Sequence, residues 1–400
     1  MPRIAIIGAG IAGVSTALEL AADGHEVSVF DRRGSVAAEA SFANAGTIAP
    51  ALALPWTQPR FGLGWRGKQW RAARHPAFAE RAAATLRLAV YSHQRLQALR
   101  KTLQLDYERA EGQLVLLRDK ADREAIAPGL ERLAALGLVV RELDAAGCRA
   151  VEPGLNPEAK LFGGVQLPLA EVGNCRQFAH LLRVEAQKLG ARFRFHTTVR
   201  SLDASGEVVH EYTPPEELAG APSSPPDAGD TVPQTQGPRG ERFDAIVVCA
   251  ALDGARLLGR KLPLRTAVSH SITAPLRQLE AHPDLGPRGG LTDHQLGVSL
   301  SRIGQRVRAT AGDEASAHKS LNDWFPGASL PGQALRWSGE HVELPDGLPL
   351  IGGGGRLWIN LAHPDAGFTL ASGAARVISE RLAGRKAEVD VSGLDLDRLG

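Results

Sequence analysis

The chain opens on an apolar run with no polar interruption, Ile4-Ala5-Ile6-Ile7, the pattern of a short strand buried on both faces. Residues 14–22 then switch to helical periodicity, Gly24 stops the helix, and Glu26–Phe30 returns to a strand pattern. The same reading predicts helices over 79–104, 119–136 and 176–188. It predicts strands over 113–117 and 192–197, the second running on into TTVRSL. FDAIVVCAAL, 243–252, is a further apolar strand that ends in small residues, much like the first. Residues 262–273 and 297–310 alternate, which suggests strands of a second, antiparallel sheet. LPLIG (348–352) and RLWINLAH (356–363) precede a final helix over Gly367–Leu382, where Ala371, Ser372, Gly373 and Ala374 permit close packing.

These pieces define an α/β chain, and 400 residues are too many for one ordinary core. The expected organisation is a nucleotide-binding domain built from 1–85, 170–255 and 340–400. A substrate domain with a largely antiparallel sheet and helices would come from 86–169 and 256–339. Residues 213–240 are rich in proline and glycine with almost no bulky apolar side chains, and read as an expanded hairpin loop.

The chemistry starts where the first strand stops. Gly8, Gly10 and Gly13 stand in G-x-G-x-x-G spacing, with Ala9, Ile11 and Ala12 between them. Gly8 allows a tight turn, Gly10 lets the backbone approach a pyrophosphate, and Gly13 lets the helix pack closely on the sheet. The helix N-terminus supplies free N–H groups and a positive dipole end to the phosphates. Asp31, at the end of the second strand, is placed to accept from a ribose diol. Arg32 and Arg33 beside it keep a 2′-phosphate, and hence NADP, in view. Position decides for FAD: the rest of the sheet does not follow at once, and a nucleotide domain assembled from distant segments is the layout of FAD oxidoreductases. ASFANAG (40–46) follows instead, offering Ser41, Asn44, Ala45 and Gly46 near the first turn. Val199, Ala250 and Ala251 are expected near the same cofactor. The N-terminus of the last helix, at Gly367, Phe368 and Thr369, would aim its dipole at the flavin, whose reduced form is negative near N1 and C2=O.

Charge and cysteine usage narrow the field. Forty-six Lys plus Arg against 44 Asp plus Glu give no global case for nucleic-acid binding. Cys148, Cys175 and Cys249 form no metal-ligand spacing and no disulfide framework, so no metal is expected and a reducing cytoplasm is the default compartment. No run approaches the roughly 18 apolar residues of a membrane helix. Residues 55–76, however, interleave Arg60, Arg66, Lys68, Arg71 and Arg74 with Trp56, Phe61, Trp65 and Trp70, and carry no acid. That suits either a peripheral contact with the inner face of a membrane or a lid over the active site.

Taken together, GAGIAGVSTALELAADGHEVSVFDR, ASFANAG, FGGVQLP, GNCRQFAHLL, LGARFRFHTTVRSL and WSGEHVELPDGLPLIG resemble the D-amino-acid dehydrogenase small-subunit and glycine oxidase-like family, within the D-amino-acid oxidase superfamily. The likeness covers nearly the whole chain apart from the Pro-rich insert. It implies a two-domain fold, noncovalent FAD, and hydride transfer from a substrate C–H to flavin, so that the C–N bond of an amino acid or related amine is oxidised. Oxygen or a quinone would be the electron acceptor.

Two departures stand against the likeness. The family's G-x-R-P segment, whose Arg pairs with a substrate carboxylate, reads here Gly339-Glu340-His341-Val342. Its C-terminal G-H-G loop reads Ala362-His363-Pro364-Asp365-Ala366-Gly367. Charge-assisted hydrogen bonds contribute about 1.5–3 kcal/mol, so loss of the Arg predicts roughly ten- to 150-fold weaker carboxylate recognition. An imidazole of ordinary pKa is only about a quarter charged at pH 7. Either another cation compensates, with Arg302, Arg306 and Arg308 as candidates, or the substrate is not an ordinary amino acid. His363, His341 and His270 are the candidate catalytic residues. Two other readings remain open at this point: an FAD monooxygenase, for which no second glycine fingerprint is visible, and a flavin-binding protein with an altered or decayed substrate site.

Overall fold

The computed structural model describes residues 1–214, 237–277, 285–361, 363 and 365–399. Its first sheet has six strands in the order Leu350–Gly354, Leu357–Leu361, Ala245–Val248, Arg3–Ile7, Glu26–Phe30 and Arg192–Arg194. All neighbours run parallel except the Leu350–Gly354 edge. The opening strand is covered on both faces, as its unbroken apolar run requires. Ile4 and Ile6 pack with Val14, Leu18, Phe178 and Leu370, whereas Ala5 and Ile7 pack with Phe30, Val199, Val208 and Phe243. Helices Ile11–Ala22, Cys175–Lys188 and Gly367–Leu382 lie on the first of these faces. A three-stranded antiparallel sheet, Thr197–Leu202, Glu207–Tyr212 and Arg239–Arg242, covers the second.

The last helix crosses Phe78–Leu103 at Gly373, where an added Cβ would stand 2.7 Å from Ser92 Cβ. The small residues there are what let the two helices approach.

The second sheet has nine strands. Eight run in the order Leu335–Glu343, Arg265–Pro275, Arg306–Ala311, Val298–Ile303, Gly290–Asp293, Ala110–Leu117, Gly163–Val172 and Thr47–Ile48, and Arg141–Asp144 also pairs with Gly163–Val172. All pairs are antiparallel except Gly290–Asp293 with Ala110–Leu117. The α/β class and the discontinuous nucleotide sheet are therefore as the sequence implied.

Three sequence expectations change. The strand expected over 192–197 is two strands in two sheets, because His196 takes φ +52° and turns the chain between Arg194 and Thr197. Thr47–Ile48 and part of Leu335–Glu343 fall in the nucleotide-binding segments by sequence division, yet both pair in the nine-stranded sheet. The 85/86 division falls inside Phe78–Leu103, which packs on the nucleotide side against Gly367–Leu382. The strands flanking the Pro-rich insert do form an antiparallel hairpin, while 215–236 lie outside the described residues.

Candidate functional site

The glycine loop is shaped by two contacts and one opening. Gly8 has φ +105°, and a Cβ there would meet Ala250 N at 3.0 Å. A Cβ on Gly13 would stand 1.9 Å from Gly8 O, so the helix start rests directly on the loop it follows. Gly10, the N-cap of helix Ile11–Ala22, would bring its Cβ near Ser41 Oγ alone, at 3.5 Å. Ser41 Oγ in turn accepts from Ile11 N at 3.2 Å. Gly8 and Gly13 thus serve the backbone's own packing, and Gly10 leaves room for a ligand.

Asp31 closes the turn. Its Oδ2 accepts from Ala9 N at 2.6 Å and its Oδ1 from Arg33 N at 2.7 Å. Burial pushes its carboxyl up to about 6 despite those two donors. Arg32 pairs with Glu39 and Asp253, each at 2.8 Å, and Arg33 pairs with Glu39 at 2.8 Å. Both guanidinium groups are already neutralised by carboxylates, which removes the case for a 2′-phosphate and favours FAD over NADP.

A cavity of about 950 Å³ runs from this loop to the face of the nine-stranded sheet. Gly8, Gly10, Ile11, Ala12, Asp31, Arg32, Ser41, Asn44, Ala45, Val199, Ala250, Ala251, His341, His363 and Gly367 line it together. Ala9, Gly13, Gly46, Phe368, Thr369 and His270 do not. Ala9 and Gly13 support the loop from behind. Gly46 holds φ +71°, with its space taken by Gly173 O. Phe368 packs against Phe178 and Tyr107, and Thr369 Oγ1 accepts from Ala49 N at 3.1 Å. The strand pleat turns His270 to the face opposite cavity-lining Ser269, toward Asp313 at the start of helix Glu314–Trp324.

His363 is held from behind by a relay. Its Nε2 lies 2.7 Å from Asn360 Oδ1, Asn360 Nδ2 donates to Thr16 Oγ1 at 3.1 Å, and Thr16 Oγ1 donates to Ala12 O at 2.7 Å. Asn360 and Thr16 are both fully buried. An amide oxygen only accepts, so His363 carries its proton on Nε2 and leaves Nδ1 as a bare acceptor. That Nδ1 is buried and has no partner among the described residues. Burial also pushes the imidazole down to about 4, so it is neutral at pH 7. The sequence carried one signal for this relay that went unread: Asn360 is a lone amide inside the apolar strand Leu357–Leu361.

At the far end, His341 Nε2 lies 3.5 Å from Glu343 Oε1 and 4.0 Å from Asp365 Oδ1. The hydrogen bond to Glu343 raises the imidazole above its ordinary value against the opposing effect of burial. None of the three arginines considered as replacement cations lines the cavity. Arg302 bonds Gly304 O, Arg306 pairs with Glu108, and Arg308 bonds Thr273 Oγ1 and Asn44 O. Trp337, Glu343, Asp365 and Asn360 line the cavity and were not singled out by sequence.

Part of the basic, Trp-rich segment borders the same space. Pro55, Trp56, Thr57 and Gln69 line the cavity, and Trp65, at the start of the short helix Trp65–Ala72, lies 4.9 Å under the Arg265 guanidinium. Phe61 and Leu63 point outward and are exposed. No helix among the described residues is long and apolar enough to cross a membrane, and no metal-binding group of His, Cys, Asp or Glu is found among them.

A glycine-bent dinucleotide cradle that opens onto a second, antiparallel sheet defines a two-part nucleotide-dependent oxidoreductase. Residues 3–381 match the family model described as FAD dependent oxidoreductase, and the chain belongs to that family, abbreviated DAO. A D-amino acid dehydrogenase of Cereibacter sphaeroides is 32% identical over 444 residues, covering 99% of this chain and 95% of that protein. Another from Rhizorhabdus wittichii is 32% identical, covering 99% and 100%. Among solved structures, glycine oxidase from Geobacillus kaustophilus shares the fold with a TM-score of 0.72 at 18% identity, covering 99% of both chains. L-proline dehydrogenase from P. horikoshii gives 0.70 at 14% identity, covering 98% of this chain and 96% of that one. FAD is the cofactor, and the cradle fits it: the glycine bend, Asp31 and the small residues Ala250 and Ala251 leave the length of the cavity open.

Proposed function

We propose that the protein oxidises the C–N bond of an amino acid or related amine, passing the hydride to FAD. The observation that carries this reading is that one cavity is lined by the glycine loop and by both His341 and His363. FAD supplies the hydride acceptor when bound. Gly8, Gly10 and the start of helix Ile11–Ala22 would seat its pyrophosphate, Asp31 would take its ribose, and Val199, Ala250 and Ala251 would flank it. His363, neutral and fixed in one tautomer, lines the cavity close to Gly367. His341 faces the substrate from strand Leu335–Glu343. The lining by Asn360 and His363 beside Gly367 puts the N-terminus of the last helix at this end of the cavity.

Electrons would pass on to oxygen or a quinone. The exposed Phe61 and Leu63 beside Arg60, Arg66 and Lys68 support peripheral contact with the inner face of a membrane, to be tested by co-sedimentation with anionic vesicles. The central test is the visible spectrum of purified protein under anaerobic addition of D- and L-amino acids, glycine, N-methylglycine and simple amines. Bleaching of the bound flavin identifies the substrate class. A bound flavin that none of them bleaches would refute C–N oxidation and leave a flavoprotein with an altered site.

A further inference from the structure

Among the described residues, the substrate end of the cavity has no Lys or Arg to spare. Among the described residues the Lys and Arg lining the whole cavity are Arg32 and Arg33 at the nucleotide end and Arg265, and each is already paired, Arg265 with Glu343 at 2.6 Å. His341 stands between Glu343 and Asp365, so any charge it carries is answered twice. A ligand carboxylate placed against His341 would lie beside two carboxylates of the protein.

Of these two carboxylates, Asp365 is the one that no Lys or Arg answers among the described residues. Its side chain is 86% exposed, but into the cavity, and its one ionic neighbour among the described residues is His341 at 4.0 Å. The residue holds φ +52°, a left-handed conformation uncommon outside glycine, which Asp and Asn tolerate best. An aromatic ring lines the same cavity from the strand that carries His341. Trp337 lines the cavity on the same side of the strand as His341, laid across Gly339, where a Cβ would come within 1.8 Å of its ring. Carboxylate and indole together are the chemistry that holds an organic cation.

We propose that Asp365, in the cavity that Trp337 also lines, makes this end a cation subsite, so that the substrate presents an ammonium or amidinium-type group there instead of a carboxylate. This rests on the oxidoreductase reading above and specifies its substrate class as amines carrying a second positive group. The two departures from the family pattern, at His341 and in the loop holding Asp365, meet at this one spot.

The test is calorimetric titration of the FAD-loaded protein with benzamidine and benzoate, which share a ring and differ in charge. Benzamidine should bind at least about tenfold more tightly, the equivalent of one charge-assisted contact. Asp365→Asn, which suits the left-handed backbone and keeps the side-chain volume, should remove most of that preference. If Asp365 merely stabilised the start of helix Gly367–Leu382, the variant would move both ligands equally. Equal binding, tighter benzoate, or no benzamidine binding overturns the proposal. Anaerobic bleaching is read in parallel: flavin bleached by amino acids without benzamidine binding sinks the cation subsite alone. Benzamidine binding with no bleaching by any amine or amino acid sinks the oxidoreductase reading instead.

Discussion

Gly10 and Gly13 sit three residues apart in one motif, and the structure separates their roles cleanly enough to predict opposite phenotypes. In Gly13→Ala the new Cβ would stand 1.9 Å from Gly8 O, a backbone atom that no rotamer can move. Reaching an ordinary contact of 3.4 Å means displacing the helix start from the loop by about 1.5 Å. Overpacking of this kind costs about 1–3 kcal/mol, and contact with rigid backbone places it at the upper end. In Gly10→Ala the Cβ meets only Ser41 Oγ at 3.5 Å, and φ −68° with ψ 179° suits alanine. The fold should stand, while the methyl group occupies space the pyrophosphate needs. The assay pairs thermal unfolding of the cofactor-free protein with FAD affinity by fluorescence quenching. Gly13→Ala should lower both stability and affinity; Gly10→Ala should keep the melting temperature and lose at least tenfold in affinity, about 1.4 kcal/mol. A Gly13→Ala protein with unchanged melting temperature would refute the packing argument. A Gly10→Ala protein with unchanged affinity would refute the placement of the phosphates.

Four further outcomes are expected. Asp31 accepts best as an anion and titrates at about 6, so FAD affinity should fall as pH drops through 6, and Asp31→Asn should flatten that dependence. In cofactor-free protein the same group acts in the other direction: its folded value exceeds its ordinary 3.8, so its contribution to stability declines as pH rises from about 4 to 6, and a rise there in urea titrations of wild type relative to Asp31→Asn would contradict it. Asp293, fully buried, accepts from Arg118 at 2.6 Å, Ser320 at 2.9 Å and Trp324 at 2.8 Å. Asp293→Ala should cost about 3 kcal/mol in urea unfolding, the low end for a broken buried pair because Asp323 still holds Arg118; a loss below about 1 kcal/mol would show the network is incidental. Finally, ¹⁵N NMR of labelled histidine should find His363 neutral at pH 6 with its proton on Nε2, and an imidazolium signal there would break the relay to Asn360 and Thr16.

What could be read from sequence was whatever the chain settles locally. The strand, the glycine turn and Asp31 lie within about thirty residues and need no distant partner to be recognised. The helix over Gly367–Leu382 was legible from periodicity alone, and Phe78–Leu103 to within one residue at each end. Pairing was not legible. Gly163–Val172 touches three other strands, but with Pro168 within it and Leu169 exposed it lacks a clean alternation. The left-handed turn at His196 has no glycine to announce it. The site shows the same division: residues of the glycine motif were found because spacing defines them. Trp337, Glu343, Asp365 and Asn360 become neighbours of the cofactor cavity only when a distant strand and loop are brought to it.

The order of strands in the nucleotide sheet has a consequence for how the protein is made. Arg3–Ile7 leaves the ribosome long before its sheet neighbour Ala245–Val248, which follows more than two hundred residues later, and helix Gly367–Leu382, which shares their core, is made later still. Closing such long loops is slow, and until it happens the opening apolar run has nothing to cover one of its edges. The glycine turn is thus translated early and assembled late. A nascent chain must shelter Ile4, Ile6 and Ile7 while the intervening residues are made, and the cofactor cavity is complete only once helix Gly367–Leu382 has docked.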